Sequence, residues 1–174
     1  MYPYIRFFYH VFRARSAPPL DLFGTHVSHH RIWPTDIDPW AELNNGRTLT
    51  LYDLGRMPLF QRTGLIAIMK KNGWRGTVAG CSVRYRRRVQ LFQTVEMRSR
   101  IVGWDRRFAY VAQSMWRGGD CASQVLIRTA VIDGNGMVPT ARVAEEAGAD
   151  SPPLPGWVAA WIEAENGRSW PPED

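Results

Sequence analysis

The chain is short of the features that would place it in a specialised class. It has only 2 cysteines in 174 residues. Cys81 and Cys121 lie in apolar, strand-like runs with no redox or metal-ligand spacing, which excludes a disulfide scaffold and predicts free thiols in a reducing compartment. Histidine is almost as scarce, with 4. His29 and His30 are adjacent, so on a strand they point to opposite faces and cannot share an ion, and no metal or cofactor is expected. No apolar run reaches the roughly 20 residues that a membrane-spanning helix needs. No small-residue cleavage site follows the first residues either, so a cytoplasmic location is expected. Repeats and low-complexity tracts are missing. A phosphate-binding glycine fingerprint is missing too, because Asp133-Gly134-Asn135-Gly136 runs on to Pro139 without a βαβ unit around it. Gly80-Cys81-Ser82 lacks the second glycine of a nucleophile elbow and reads as strand.

What is present describes a globular chain. Hydrophobic residues make up 45% and tryptophan occurs 8 times, enough for one domain to bury a core unaided. Lys and Arg number 22 against 16 Asp and Glu, a net charge of +6, and only Arg142 and Arg168 of the cations fall after residue 140. Such a surface attracts anionic partners, including nucleotide-tailed cofactors, anionic lipid and nucleic acid. The last is not expected, because no nucleic-acid reading module accompanies the charge.

Residues 1–15 read MYPYIRFFYHVFRAR and mix Tyr2, Tyr4, Ile5, Phe7, Phe8, Val11 and Phe12 with Arg6, Arg13 and Arg15. They predict a terminal arm that packs its aromatics on the body or on a second subunit, with weak contact to an anionic membrane surface as the other reading. Residues 25–33 read as a strand entering the acidic loop Asp36-Ile37-Asp38-Pro39. A helix follows from about Asn45 to Arg62, opened by an Asn cap and apolar nearly all the way round. Pro58 lacks the N–H for the bond to Leu54, so a kink or break is expected there, with a short helix continuing to Thr63 and Gly64 as the stop. From Gly76 the period changes to two. Strands are expected at about 77–89, 94–104, 107–117 and 121–133, joined by tight turns and therefore antiparallel. A short acidic helix over 139–148 and an amphipathic helix from Leu154 follow, the second as a lid or clamp on the sheet edge. The layout is α+β, an antiparallel sheet of five or six strands wrapped round one long central helix. Its parts are an N-terminal arm over 1–24, a domain over 25–135 and a helical extension over 136–174.

The run from Asp36 to Arg47 (DIDPWAELNNGR) is similar to the Asp-x-Asp-x-Asn-x-His-x-Asn-Asn pattern of hotdog-fold acyl-CoA thioesterases. Leu49 to Arg56, Arg84-Tyr85-Arg86-Arg87-Arg88 and Val102 to Asp105 further resemble the subgroup around thioesterase superfamily member six. The likeness covers roughly residues 25–135. It departs from the pattern at Trp40 and Glu42, where many members carry Asn and His, so a His-dependent mechanism is unavailable there and Glu42 supplies a second carboxylate. Asp38, before Pro39, matches the carboxylate of the hydroxybenzoyl-CoA branch.

The resemblance implies hydrolysis of an acyl thioester carried on coenzyme A or acyl carrier protein, by a homodimer or dimer of dimers with sites at the interface. The leaving thiol has a pKa of about 8.5, so little proton donation is required. One carboxylate and one backbone oxyanion site suffice. Asp38 is the candidate base or nucleophile; Asp36, Asn44 and Glu42 are the other catalytic candidates. Asn45 is placed at the substrate. Arg84, Arg86 and Arg88 alternate along the expected strand, so three guanidinium forks would share one face suited to the phosphates of coenzyme A. Asp53 and Arg56, three apart on the helix, read as an intrahelical pair. The other function is a non-catalytic protein that binds acyl groups.

Overall fold

The computed structural model describes residues 2–172; Met1 of the arm and Glu173 and Asp174 of the tail lie outside the described residues. In chain order the elements are α1 (Tyr4–Arg15), β1 (His26–Arg31), a 3-10 turn (Pro34–Asp36), α2 (Asn45–Arg62), α3 (Leu65–Lys71), β2 (Arg75–Tyr85), β3 (Thr94–Trp104), β4 (Ala109–Arg117), β5 (Asp120–Asp133), β6 (Gly136–Val138), α4 (Thr140–Ala147) and α5 (Gly156–Asn166). The strands form one antiparallel sheet in the order β1-β3-β4-β5-β2, and β6 pairs with the end of β5. This is the α+β arrangement read from the sequence, a curled sheet around a central helix.

The register puts one apolar set on the concave face. Met97, Ser99 and Ile101 of β3 lie opposite Met115, Gln113 and Val111 of β4, and Val125 and Ile127 of β5 continue the rows. Against them α2 packs Leu51, Tyr52, Leu54 and Leu59, all fully buried. Gly55 permits that approach, because a Cβ there would meet Met97 Sδ at 2.5 Å and Ser99 Oγ at 2.9 Å. A buried polar network spans the interface. Arg56 donates to Gln113 Oε1 at 3.1 Å, and Gln113 Nε2 donates to the Tyr52 carbonyl and to Ser99 Oγ, each at 2.8 Å. Arg56 also pairs with Asp53, as its spacing suggests. The sequence did not indicate that it reaches the sheet as well.

Three expectations need correction. The helix does not break at Pro58: α2 runs on to Arg62 and the chain turns at Gly64, where φ is +80°. An interior proline costs about 3 kcal/mol, less than the roughly 2 kcal/mol apiece that burying Leu51, Leu54 and Leu59 returns. Second, β2 ends at Tyr85 rather than 89, and the Arg86 and Arg87 N–H groups both turn onto the Ala122 carbonyl. Third, α5 covers the convex face of the sheet instead of clamping its edge. Val158 is fully buried with Val102, Tyr110 and Leu126, while the Arg128 guanidinium lies over the Phe108 and Trp161 rings at 4.6 and 5.5 Å. The edge strands are β1 and β2, and β2 is exposed along most of its length.

Candidate active site

The acidic loop is a short ribbon folded back on itself. The Asn44 N–H donates to the Asp36 carbonyl at 2.9 Å, Ile37 bridges Leu43, and the Asp38 N–H donates to the Glu42 carbonyl at 2.9 Å. Ala41 closes the bend with a φ of +58°, a left-handed conformation that a non-glycine residue adopts at some cost. A second bridge, Glu42 to Gln90, ties the ribbon to the segment after β2. Each residue outward from Asn44 therefore moves one rung away from the start of α2.

Asp36 is the carboxylate at that start. It is fully buried, accepts the Trp33 N–H at 3.0 Å, and pairs with Arg6 Nη1 of α1 at 2.7 Å and Arg47 Nη2 of α2 at 2.8 Å. Burial pushes its pKa up, but the Trp33 N–H and the two guanidiniums outweigh burial and hold it below the usual carboxylate value. Its geometry makes it the knot that fastens α1, the loop and α2 together.

Asp38 sits two rungs out and is half-buried. Its Oδ1 accepts the Trp40 N–H at 2.9 Å and the Glu42 N–H at 3.4 Å; Oδ2 meets no donor among the described residues. Glu42, also half-buried, pairs with Arg88 Nε at 3.2 Å. Asn44 caps α2, accepting the Arg47 N–H at 3.1 Å. Beyond it the Asn45 and Gly46 N–H groups, in the first turn where a helix has no internal acceptors, meet no acceptor among the described residues. Tyr85, at the end of β2, donates to the Asn45 carbonyl at 3.4 Å, and burial raises its pKa.

Asp38, Glu42, Asn44 and Asn45 are thus brought together at one end of α2, with Arg88 beside them. Arg84 and Arg86 are exposed. Arg84 stands opposite Gln124 in the ladder, and Arg86 and Arg88 follow the end of β2, so the three do not share a strand face. Sequence reasoning missed Tyr85, Arg47 and Arg6. Tyr85 had a visible signal, a lone aromatic among arginines; the two arginines had none, since Arg6 stands 30 residues from Asp36. Among the described residues no group of three His, Cys, Asp or Glu is placed to hold a metal ion.

A cavity of about 210 Å³ opens at the other end of α2. Met57 and Phe60 of α2, Leu65 and Met69 of α3, Val111 and Val131 of the sheet and Val143 of α4 line it, and Arg56 borders it. None of the acidic-loop candidates touches it. Asn45 and Met57 are 12 residues apart, so the two places are separated by about 18 Å of helix.

The chain's likenesses agree with this architecture. Residues 32–162 match the family model of the thioesterase-like superfamily. Protein THEM6 of Xenopus laevis is 32% identical over 161 residues, covering 91% of this chain and 78% of that protein. Among solved structures, YbaW, a probable thioesterase from Escherichia coli, superposes with a TM-score of 0.65 at 16% identity, over 70% of this chain and 95% of that one. The DHNA-CoA thioesterase from Staphylococcus aureus gives 0.61 at 15% identity, over 82% and 91%. At such identities the two structures speak for the fold.

Proposed function

The chain belongs to the thioesterase-like superfamily, and from that premise we propose that it hydrolyses acyl thioesters of the coenzyme A type, with Asp38 as general base. The observation that carries this reading is the state of the Asp38 carboxylate: one oxygen anchored on two loop amides, the other without a donor among the described residues, in a half-buried position two rungs of ribbon from the start of α2. Two rungs of ribbon amount to roughly 7 Å. That spacing leaves room for a water held between the carboxylate and a thioester carbonyl whose oxygen rests on the Asn45 and Gly46 N–H groups. Water adds to the carbonyl carbon as Asp38 takes its proton, and negative charge collects on the oxygen at the helix N-terminus, where the dipole favours it. The C–S bond then breaks, and the thiolate leaves and takes up the proton from Asp38.

The other residues act around that step. Asp36 fixes the loop, Asn44 caps the helix, and Glu42 is held by Arg88. Arg84 and Arg86, both exposed, are the cations we assign to the phosphates of the carrier. The exposed β2 edge favours a homodimer, because a long unpaired edge is a template for a second strand. A non-catalytic acyl-binding protein is the second reading, and the apolar cavity standing apart from the acidic loop favours it. Release of free thiol from a panel of acyl-CoA thioesters, aromatic and aliphatic, separates the two. Hydrolysis of at least one member at an enzymatic rate is expected; tight binding of acyl-CoA without thiol release would replace the hydrolase with the binder.

A further inference from the structure

Helix α1 carries apolar side chains on both of its sides. Its inner face is fixed: Phe7 packs into the core, Ala14 is buried, the His10 ring lies 4.3 Å from His30, and Arg6 is paired with buried Asp36. The helix cannot roll over without breaking that ion pair. Its outer face therefore presents Tyr4, Ile5, Phe8, Tyr9 and Phe12, which are 55–88% exposed. A contiguous aromatic band of this kind on a folded surface marks a docking face.

We propose that this face of α1 docks on an anionic lipid surface. The charge pattern selects that occupant. Arg13 and Arg15 stand exposed in the last turn, and the first acidic residue of the chain is Asp21. The band has the composition of the water–hydrocarbon boundary, with phenylalanines and an isoleucine flanked by tyrosines whose hydroxyls stay wet and by arginines for the headgroups. Arg13 donates to the Tyr9 hydroxyl at 3.2 Å, which keeps the cation at the border of the apolar band. A second copy of the chain fits this face poorly. Two such helices related by a twofold axis would bring four arginines together with no carboxylate on either helix to compensate. On the inner face Arg6 Nη2 also donates to the Arg31 carbonyl at 2.9 Å, a second tie that holds the band outward.

Flotation of the full chain with vesicles of phosphatidylcholine, alone or mixed with phosphatidylglycerol, tests the proposal without reference to catalysis. Binding to the mixed vesicles, weakened by salt, is expected, with little binding to phosphatidylcholine alone. Arg13→Gln with Arg15→Gln should weaken binding roughly fivefold for each arginine. Phe8→Gln with Phe12→Gln should abolish it while the thermal midpoint stays unchanged, because both side chains are exposed. Absence of binding to the mixed vesicles, or equal binding by the wild type and the phenylalanine variant, overturns the proposal. So does light scattering in which the phenylalanine variant forms a smaller oligomer while binding vesicles as before, since the face would then be a subunit interface.

Discussion

Replacing Asp36 by asparagine removes one negative charge from the place where three segments of the chain meet. In the native protein that charge is fully buried and is shared between Arg6 and Arg47, whose side chains are 20% and 18% exposed. Asparagine keeps the size and one acceptor, so the loss is electrostatic. Breaking a buried pair by removing one partner costs about 3–5 kcal/mol, and here water reaches both guanidiniums, which favours the lower end, about 3 kcal/mol. Urea unfolding followed by circular dichroism should show the midpoint falling with the slope unchanged. The pH dependence supplies a second check. The native pKa of Asp36 is depressed, so its contribution is fully present above the unfolded value near 3.9 and is lost as pH falls through the native one. The gap between wild type and variant should therefore be constant near neutrality and close in strong acid. Because Arg6 would lose its anchor, trypsin should also cut the variant sooner after Arg13 and Arg15. A cost below about 1 kcal/mol, the range of surface ion pairs, would refute the reasoning.

Gly55→Ala should destabilise by about 1–3 kcal/mol despite alanine's better helix propensity, because the added methyl group collides with Met97 Sδ and Ser99 Oγ; thermal melts check this. Gln113→Ala should cost about 1–3 kcal/mol, since it takes a buried partner from Ser99 Oγ and from one edge of the Arg56 guanidinium and the second donor from the Tyr52 carbonyl. Burial lowers the pKa values of His10 and His26 to about 4, and nearby Arg6 and Arg13 for the first and Arg62 for the second lower them further. Stability should accordingly be level above the unfolded histidine value near 6.5 and decline as pH falls from there toward 4. Urea midpoints measured across that window test the sign; a rise on acidification would contradict it.

The sheet was legible because period-two runs and their turns are local signals. Gly118 and Gly119 take positive φ between β4 and β5, and Asp105 Oδ1 accepts the Arg107 and Phe108 N–H groups to close the turn before β4. Alternation in His26 to Arg31 likewise foretold one inward and one outward histidine, as found for His30 and His29. The central helix was legible from its Asn cap and apolar girth, but its course through Pro58 was not, since packing outweighed a local penalty. The end of β2 at Tyr85 was hidden for a related reason: Arg86 to Arg88 continue the alternation, and what ends the strand is a contact with Ala122. Amphipathicity in α5 announced a partner without saying that it was the convex face. At the site, the acidic loop and the capped helix could be read as neighbours in sequence. The rung order, which puts Asp36 at the helix and Asp38 outside it, depends on the fold of the ribbon, and the distant pairing with Arg6 and the cavity at the far end of α2 arise only from tertiary structure.

The steady-state turnover of Asp38→Asn on the best acyl-CoA substrate tests the central claim most directly. Asp38 bonds only amides of its own exposed loop, so the variant should fold and bind acyl-CoA as the wild type does, while kcat falls by about 10²–10⁴-fold, the usual share of a general base. An Asp38→Asn protein that released thiol as fast as the wild type would contradict the account.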